Sequence, residues 1–117
     1  MTFKRGDIIL VYFPHSDRRT IKLRPALVVQ KNNLNSGIPQ IVVAMISSNL
    51  KRAGHPSRIT ILLSDKLAIG TGLRLDSIIM TDNLATIELA QVRTKIGSFS
   101  KMLLVDKALR NTLGLSD

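Results

Sequence analysis

Lys22-Leu23-Arg24-Pro25-Ala26-Leu27-Val28-Val29-Gln30 runs from charged residues into an apolar, β-branched stretch across a single proline. Proline holds φ near about −65° and has no N–H to give a sheet ladder, so Pro25 fits the first position of a strand or an edge. It also drives the preceding residue out of helical geometry, which sets Arg24 on extended backbone at the mouth of a core strand, residues 26–30. Most such arginines are solvated charges flanking a strand. Arg24 gains a function only if other parts of the chain converge on it.

Working outward, Ile8-Ile9-Leu10-Val11-Tyr12-Phe13 is a continuous apolar run that follows Gly6-Asp7 and stops at Pro14. It is short and β-branched, as a strand buried on both faces should be. Between it and residue 24 lies a charged, glycine-free loop, His15-Ser16-Asp17-Arg18-Arg19-Thr20-Ile21-Lys22-Leu23. Loops of about ten residues inside a compact domain are usually functional or mobile.

Downstream, residues 31–39 are turn-rich, and residues 40–48 form a third strand ending in two hydroxyls, Ser47 and Ser48. A basic loop over 51–56 contains Lys51, Arg52 and His55. Further strands are expected at 57–63 and 76–81, with extended pieces at 84–88 and 91–97. Gly70-Thr71-Gly72 is too short and isolated for a phosphate loop and reads as a turn. The period then changes: Ser100 suits a helix N-cap, Met102, Val105, Leu109 and Leu113 recur on one helical face, and Gly114 suits the stop. Many short strands followed by one helix predict a mainly β, α+β domain: a small, strongly bent antiparallel sheet or open barrel, not a βαβ protein.

The 117 residues suffice for one domain, 1–117, with a core that needs neither metal nor disulfide. No segment has the apolar length of a membrane span, and the start of the chain reads as a first strand, not a signal peptide. Cysteine is absent, which excludes thiol chemistry and suits a reducing cytoplasm. His15 and His55 lack ligand spacing, so no metal or other cofactor is expected. The net charge of +9, from 17 basic and 8 acidic residues, calls for a polyanionic partner. A membrane surface is disfavoured because no basic amphipathic helix carries bulky anchors. Aromatics are scarce, so a stacking platform is poorly supported and phosphate contacts would carry the grip on nucleic acid.

Arg24, the Ser47–Ser48 pair and the loop from His15 to Lys22 could meet in one cleft. RNA brings its own nucleophile, the ribose 2′-OH, beside each phosphate. Cleavage then needs in-line positioning, proton transfer and stabilisation of the charge on a five-coordinate phosphorane. A forked guanidinium matches phosphate oxygens, and a hydroxyl adds one donor. These residue types are common enough on a basic domain that composition alone does not assign the reaction.

The chain resembles the MazF/PemK family of toxin endoribonucleases from type II toxin–antitoxin pairs. The resemblance lies in Arg5-Gly6-Asp7-Ile8-Ile9, Arg24-Pro25-Ala26-Leu27-Val28-Val29, Val42-Val43-Ala44-Met45-Ile46-Ser47, Gly72-Leu73-Arg74-Leu75-Asp76-Ser77-Ile78 and Gly97-Ser98-Phe99-Ser100, in order and at matching spacing. It implies an SH3-like antiparallel β-barrel closed by a C-terminal helix, usually a homodimer. It further implies metal-independent cutting of single-stranded RNA to a cyclic phosphate, and an antitoxin whose acidic segment fills the RNA groove. The family's catalytic arginine falls on Arg24 and its catalytic Ser/Thr on Ser47. Because strand alternation sends Ser47 and Ser48 to opposite faces, Ser48 is the alternative.

Arginine is a poor base, so Arg24 is read as phosphorane stabiliser and leaving-group donor, with His15 a candidate for taking the 2′-OH proton. Candidate RNA contacts are Asp17, Arg18, Arg19, Lys22, Gln30, Lys51, Arg52, Asp82 and Asn83, with loop ordering the plainer role for Asp17. Two features depart from the family: the first loop has no Gly-Ser-Glu, and Ala85 stands where many members are basic. The resemblance therefore does not extend to a cleavage sequence. A CcdB-like toxin that poisons a topoisomerase without catalysis, and a non-enzymatic RNA-binding barrel, are the rival readings.

Overall fold

A computed structural model describes residues 2–14 and 21–116. Six strands, all paired antiparallel, form one sheet: β1 (Asp7–Pro14), β2 (Ile21–Val28), β3 (Gln40–Ser47), β4 (Arg58–Ile61), β5 (Ser77–Glu88) and β6 (Val92–Ser98), followed by one helix, α1 (Met102–Leu113). The order across the sheet is β4-β5-β3-β2-β1-β6, so β4 and β6 are its edges. The expected mainly β architecture with a single C-terminal helix holds.

The central strands read as unbroken apolar runs because both their faces are covered. On one face Ile8, Leu27, Ala44, Ile46, Ile59, Ile61 and Ile79 pack with Phe99 and with Val105 and Ala108 of α1. On the other, Ile9, Val11, Ala26, Val28, Ile41, Val43, Met45, Ile87 and Val92 form a second cluster. Each fully buried Val or Ile contributes about 1.5–3 kcal/mol of transfer free energy. Arg5 clamps the helix to this body: its Nη2 donates to Asp106 at 2.6 Å and its Nε to the Val29 carbonyl at 3.0 Å.

Several boundaries differ from the sequence reading. Strand β2 begins at Ile21, five residues before the expected start, and residues 21–23 pair with Tyr12, Phe13 and Pro14 of β1. These residues carry no apolar period because this end of β2 pairs only with β1 and is exposed. Pro25 accordingly lies inside β2, at the place where pairing with β3 stops. Strand β4 is shorter than 57–63, with Leu62 and Leu63 exposed beyond it.

The two segments expected at 76–81 and 84–88 are one strand, β5. Ala44 pairs with Leu84 while Met45 pairs with Met80, so residues 81–83 bulge out between them. Buried Thr81 anchors the bulge, its Oγ1 donating to the Ser57 carbonyl at 2.6 Å and lying 2.9 Å from Thr112 Oγ1. Helix α1 starts one residue later than a Ser100 cap requires; Lys101 occupies that place without a side-chain bond. Its buried face is Val105 and Ala108, while Leu113, expected in the stripe, is 54% exposed. Gly114 ends the helix at φ +69°, as expected. Among the described residues no helix is long and apolar enough to cross a membrane.

Candidate active site

The β2–β3 ladder runs Val28–Val43, Leu27–Ala44, Ala26–Met45 and stops. Continued by the same antiparallel register, it would oppose Pro25 to Ile46 and Arg24 to Ser47. Pro25 cannot donate to that ladder, so the strands part here and a cleft of about 980 Å³ opens between them. Arg24 and Ser47 leave the sheet on the face of Ala26 and Met45, whereas Leu23, Pro25 and Leu10 belong to the other face. Residues of both parities line the cleft: Lys22, Leu23, Arg24 and Pro25 from β2, Ile46 and Ser47 from β3, then Ser48 and Asn49.

Because β3 ends at Ser47, alternation no longer separates the two serines, and both line the cleft. They are not equivalent. Ser47 is half-buried, and its Oγ accepts the Asn49 N–H at 3.1 Å. That bond occupies one lone pair and leaves the hydroxyl proton free to donate. Ser48 is exposed.

The far wall is residues 72–75 with buried Ser77. Its position follows from two glycines. A Cβ on Gly72, which sits at φ +72°, would collide with the Ile96 carbonyl, and one on Gly97 with the backbone of Gly70 and Thr71. Backbone therefore packs on backbone, and the Ser98 N–H donates to the Gly70 carbonyl at 2.9 Å. At the other end of this wall, Asp76 Oδ1 accepts the Leu63 N–H at 2.7 Å and Ser77 Oγ donates to the Leu75 carbonyl at 2.7 Å. Gly70-Thr71-Gly72 is thus a turn, as the sequence reading had it, and one that packs closely on β6. It delivers Arg74 to the cleft, a residue that reading did not single out as part of the site.

The charged side chains described in the cleft lining are all cationic. Among the described residues, Lys22, Arg24 and Arg74 line the cleft and no carboxylate does, and none of the three side chains has a hydrogen bond or ion pair. The described carboxylates are engaged elsewhere. Asp7 meets Lys95, Asp82 meets Arg58, Asp106 meets Arg5, Asp65 caps Lys66, Asp76 holds Leu63 and Glu88 takes part in a capping box.

The remaining sequence candidates lie apart from this lining. Gln30 sits beyond the opposite end of β2, its Oε1 accepting the Val42 N–H at 3.2 Å. Lys51 and Arg52 form a short 3-10 turn, Leu50–Arg52, just past Asn49. Arg52 donates to Met80 Sδ at 3.5 Å and accepts from Arg58 at its carbonyl. Asp82 and Asn83 are exposed on the β5 bulge, and Asp82 is held by Arg58 through two bonds of 2.7 and 3.2 Å. That guanidinium holds the Asp82 carboxyl below the usual carboxylate range. His15, Asp17, Arg18 and Arg19 lie outside the described residues. Among the described residues no group of three metal-ligating side chains comes together.

Comparisons with known proteins agree with this fold. Residues 4–113 match the family model of the PemK-like, MazF-like toxin of type II toxin-antitoxin systems. The endoribonuclease EndoA of Bacillus subtilis is 31% identical over 123 aligned positions, spanning 100% of this chain and 99% of its own. The endoribonuclease MazF of Staphylococcus epidermidis is 29% identical over 117 positions, spanning 97% and 93%. In fold, the chain superposes on a mycobacterial endoribonuclease solved with its cognate antitoxin, with a TM-score of 0.76 at 19% identity and 99% coverage of both chains. It likewise superposes on a MazE–MazF complex of Deinococcus radiodurans, with a TM-score of 0.73 at 16% identity and 99% coverage of both. With a family model matching nearly its whole length, the chain belongs to the PemK-like, MazF-like toxins of type II toxin–antitoxin systems.

Proposed function

We propose that this toxin is an endoribonuclease that cuts single-stranded RNA at the Arg24–Ser47 end of the cleft by attack of the ribose 2′-OH on the adjacent phosphorus. The observation that supports the reading is that Arg24 and Ser47 line one cleft just past the last β2–β3 pair, with only positive charges among the described residues of its lining. The endoribonuclease relatives of similar length support it.

In the reaction the 2′-O–P bond forms and the P–O5′ bond breaks, giving a 2′,3′-cyclic phosphate and a 5′-hydroxyl. Because the nucleophile belongs to the substrate, the protein need only position the phosphate, stabilise the phosphorane and move two protons. Arg24 supplies the forked guanidinium for the non-bridging oxygens, and Ser47 donates its free hydroxyl proton to one of them. A guanidinium carries donors and no acceptor, so Arg24 is assigned to stabilise and donate and not to act as the base. For the 2′-OH proton the sequence offers His15. Loss in His15→Ala of an inflection near neutral pH in the rate profile tests that role.

The partner reading follows from the same charge. An antitoxin with an acidic segment can occupy a cationic cleft in place of RNA, and the relatives solved with antitoxins make such a complex the expected state at rest. A homodimer is the proposed assembly.

Purified protein with chelator present is expected to fragment a long single-stranded RNA, and Arg24→Ala to abolish cleavage while keeping the fold. Intact RNA alongside growth arrest would replace this reading with that of a toxin acting by protein binding. Sequencing the 5′ ends of the fragments gives the cleavage sequence.

A further inference from the structure

We infer that Arg74 is a second phosphate-binding residue, gripping the RNA backbone from the wall opposite β2, so that a single strand is held between two cationic walls. The inference rests on the ribonuclease reading and extends it to how the substrate is held away from the scissile phosphate.

Three observations lead there. First, Arg74 lines the cleft with Lys22 and Arg24 but comes from a different element, the segment between Gly72 and β5. Second, the backbone carrying it is fixed while its head is not. The close approach of Gly72 and Gly97 sets one end of the segment, and the bonds of Asp76 and Ser77 set the other. Arg74 itself is exposed and, among the described residues, has no hydrogen bond or ion pair. A charged head on a fixed arm is ready for a ligand without first breaking an internal pair. Third, among the described residues no carboxylate lines the cleft to neutralise it.

Lys22 and Arg24 on one wall and Arg74 on the other cannot all serve one phosphate group while Arg24 and Ser47 hold the scissile one. The chemistry that matches two facing cationic walls is a run of phosphodiesters. The guanidinium of Arg74 presents parallel N–H donors to the oxygens of a flanking phosphate, a bidentate fit that lysine's point charge does not reproduce.

The test uses the full chain and a uniformly 2′-O-methylated single strand carrying the mapped cleavage sequence, which lacks the attacking hydroxyl. Binding is followed by fluorescence anisotropy across a range of salt concentrations. Arg74→Ala is expected to weaken binding about tenfold, the scale of one charged hydrogen-bonding contact. It should also flatten the plot of log affinity against log salt by about 0.7, the share of one phosphate in single strands. KM for the cleavable RNA should rise by a similar factor. Arg74→Lys should restore the salt slope but only part of the affinity. Lys101→Ala, which removes a cation at the start of α1, should leave both unchanged and so exclude a general charge effect. If wild type binds and cleaves while Arg74→Ala matches it in affinity and slope, the Arg74 inference falls and the ribonuclease reading stands. If wild type neither binds nor cleaves, both fall.

Discussion

Arg24 and Ser47 line one cleft, each two places beyond Ala26–Met45, the last paired residues of β2 and β3. The parting of the strands at Pro25 opens a cleft of about 980 Å³ that both side chains line, with room for a phosphate group beside them. Two donors that converge on the same oxygens should not act independently. Arg24→Ala is expected to lower the cleavage rate at least about 1,000-fold and Ser47→Ala about 100-fold, the range of single donors to a developing oxyanion. The double variant should lose clearly less than the product of the two. Initial rates on one defined RNA, with circular dichroism to verify the fold, give the cycle. Losses that multiply would mean that the two residues act at separate steps.

The two serines are separable by experiment for a structural reason. Ser47 is half-buried, with one lone pair engaged by the Asn49 N–H, so its hydroxyl is oriented before substrate arrives; Ser48 is exposed past the end of β3. Ser47→Ala should therefore cost more activity than Ser48→Ala, which is expected to stay within a few-fold of wild type. A larger loss from Ser48→Ala would assign the donor to the residue outside the strand. Single-turnover rates decide between them.

The far wall depends on Gly72 and Gly97 having no side chains. A methyl group at Gly97 would meet the backbone of Gly70 and Thr71, and one at Gly72 the Ile96 carbonyl, neither of which can rotate away. Either glycine-to-alanine change is expected to destabilise the fold by about 1–3 kcal/mol, as overpacking does, and to impair cleavage by displacing Arg74. Gly54→Ala separates this effect from backbone strain alone. Gly54 also has positive φ, at +89°, but open space around it, so only a left-handed penalty of about 1 kcal/mol applies. Urea midpoints for the three variants, read with their KM values, test the ordering.

Much of this site could be read from the chain because local rules point to it. Proline before an apolar run places Arg24 on extended backbone, and a strand that ends in hydroxyls places Ser47 at its tip. What could not be read was set by partners distant in sequence. The start of β2 escaped because Ile21, Lys22 and Leu23 pair on one side only and are exposed, so no period marks them. The β5 bulge escaped because its anchor, Thr81, is satisfied by Ser57 and Thr112, residues 24 and 31 positions away. Arg74 lay within a stretch that carried the family resemblance. Yet nothing local shows that the turn before it packs backbone to backbone against β6 and so brings the arginine to the cleft that β2 also lines. A glycine pair, one in each segment, was the available signal.

Arg58 and Asp82 offer a test at acid pH. Their two bonds, at 2.7 and 3.2 Å, tie edge strand β4 to the β5 bulge, and Arg58 Nη1 also donates to the Arg52 carbonyl at 3.1 Å. Hydrogen bonding from Arg58 holds the Asp82 carboxyl below its ordinary value, so over part of the acid range the folded chain keeps this carboxylate charged while the unfolded chain protonates it. The pair's contribution is therefore complete above the ordinary carboxylate pKa of about 4 and is lost as the pH falls from there through the depressed folded value. Asp82→Asn should be slightly less stable than wild type at neutral pH, since exposed pairs are weak. The gap should close below about pH 4, where wild type loses the same interaction. Urea midpoints measured from neutral to acid pH check the convergence, and parallel curves would mean that the pair contributes nothing the unfolded chain lacks.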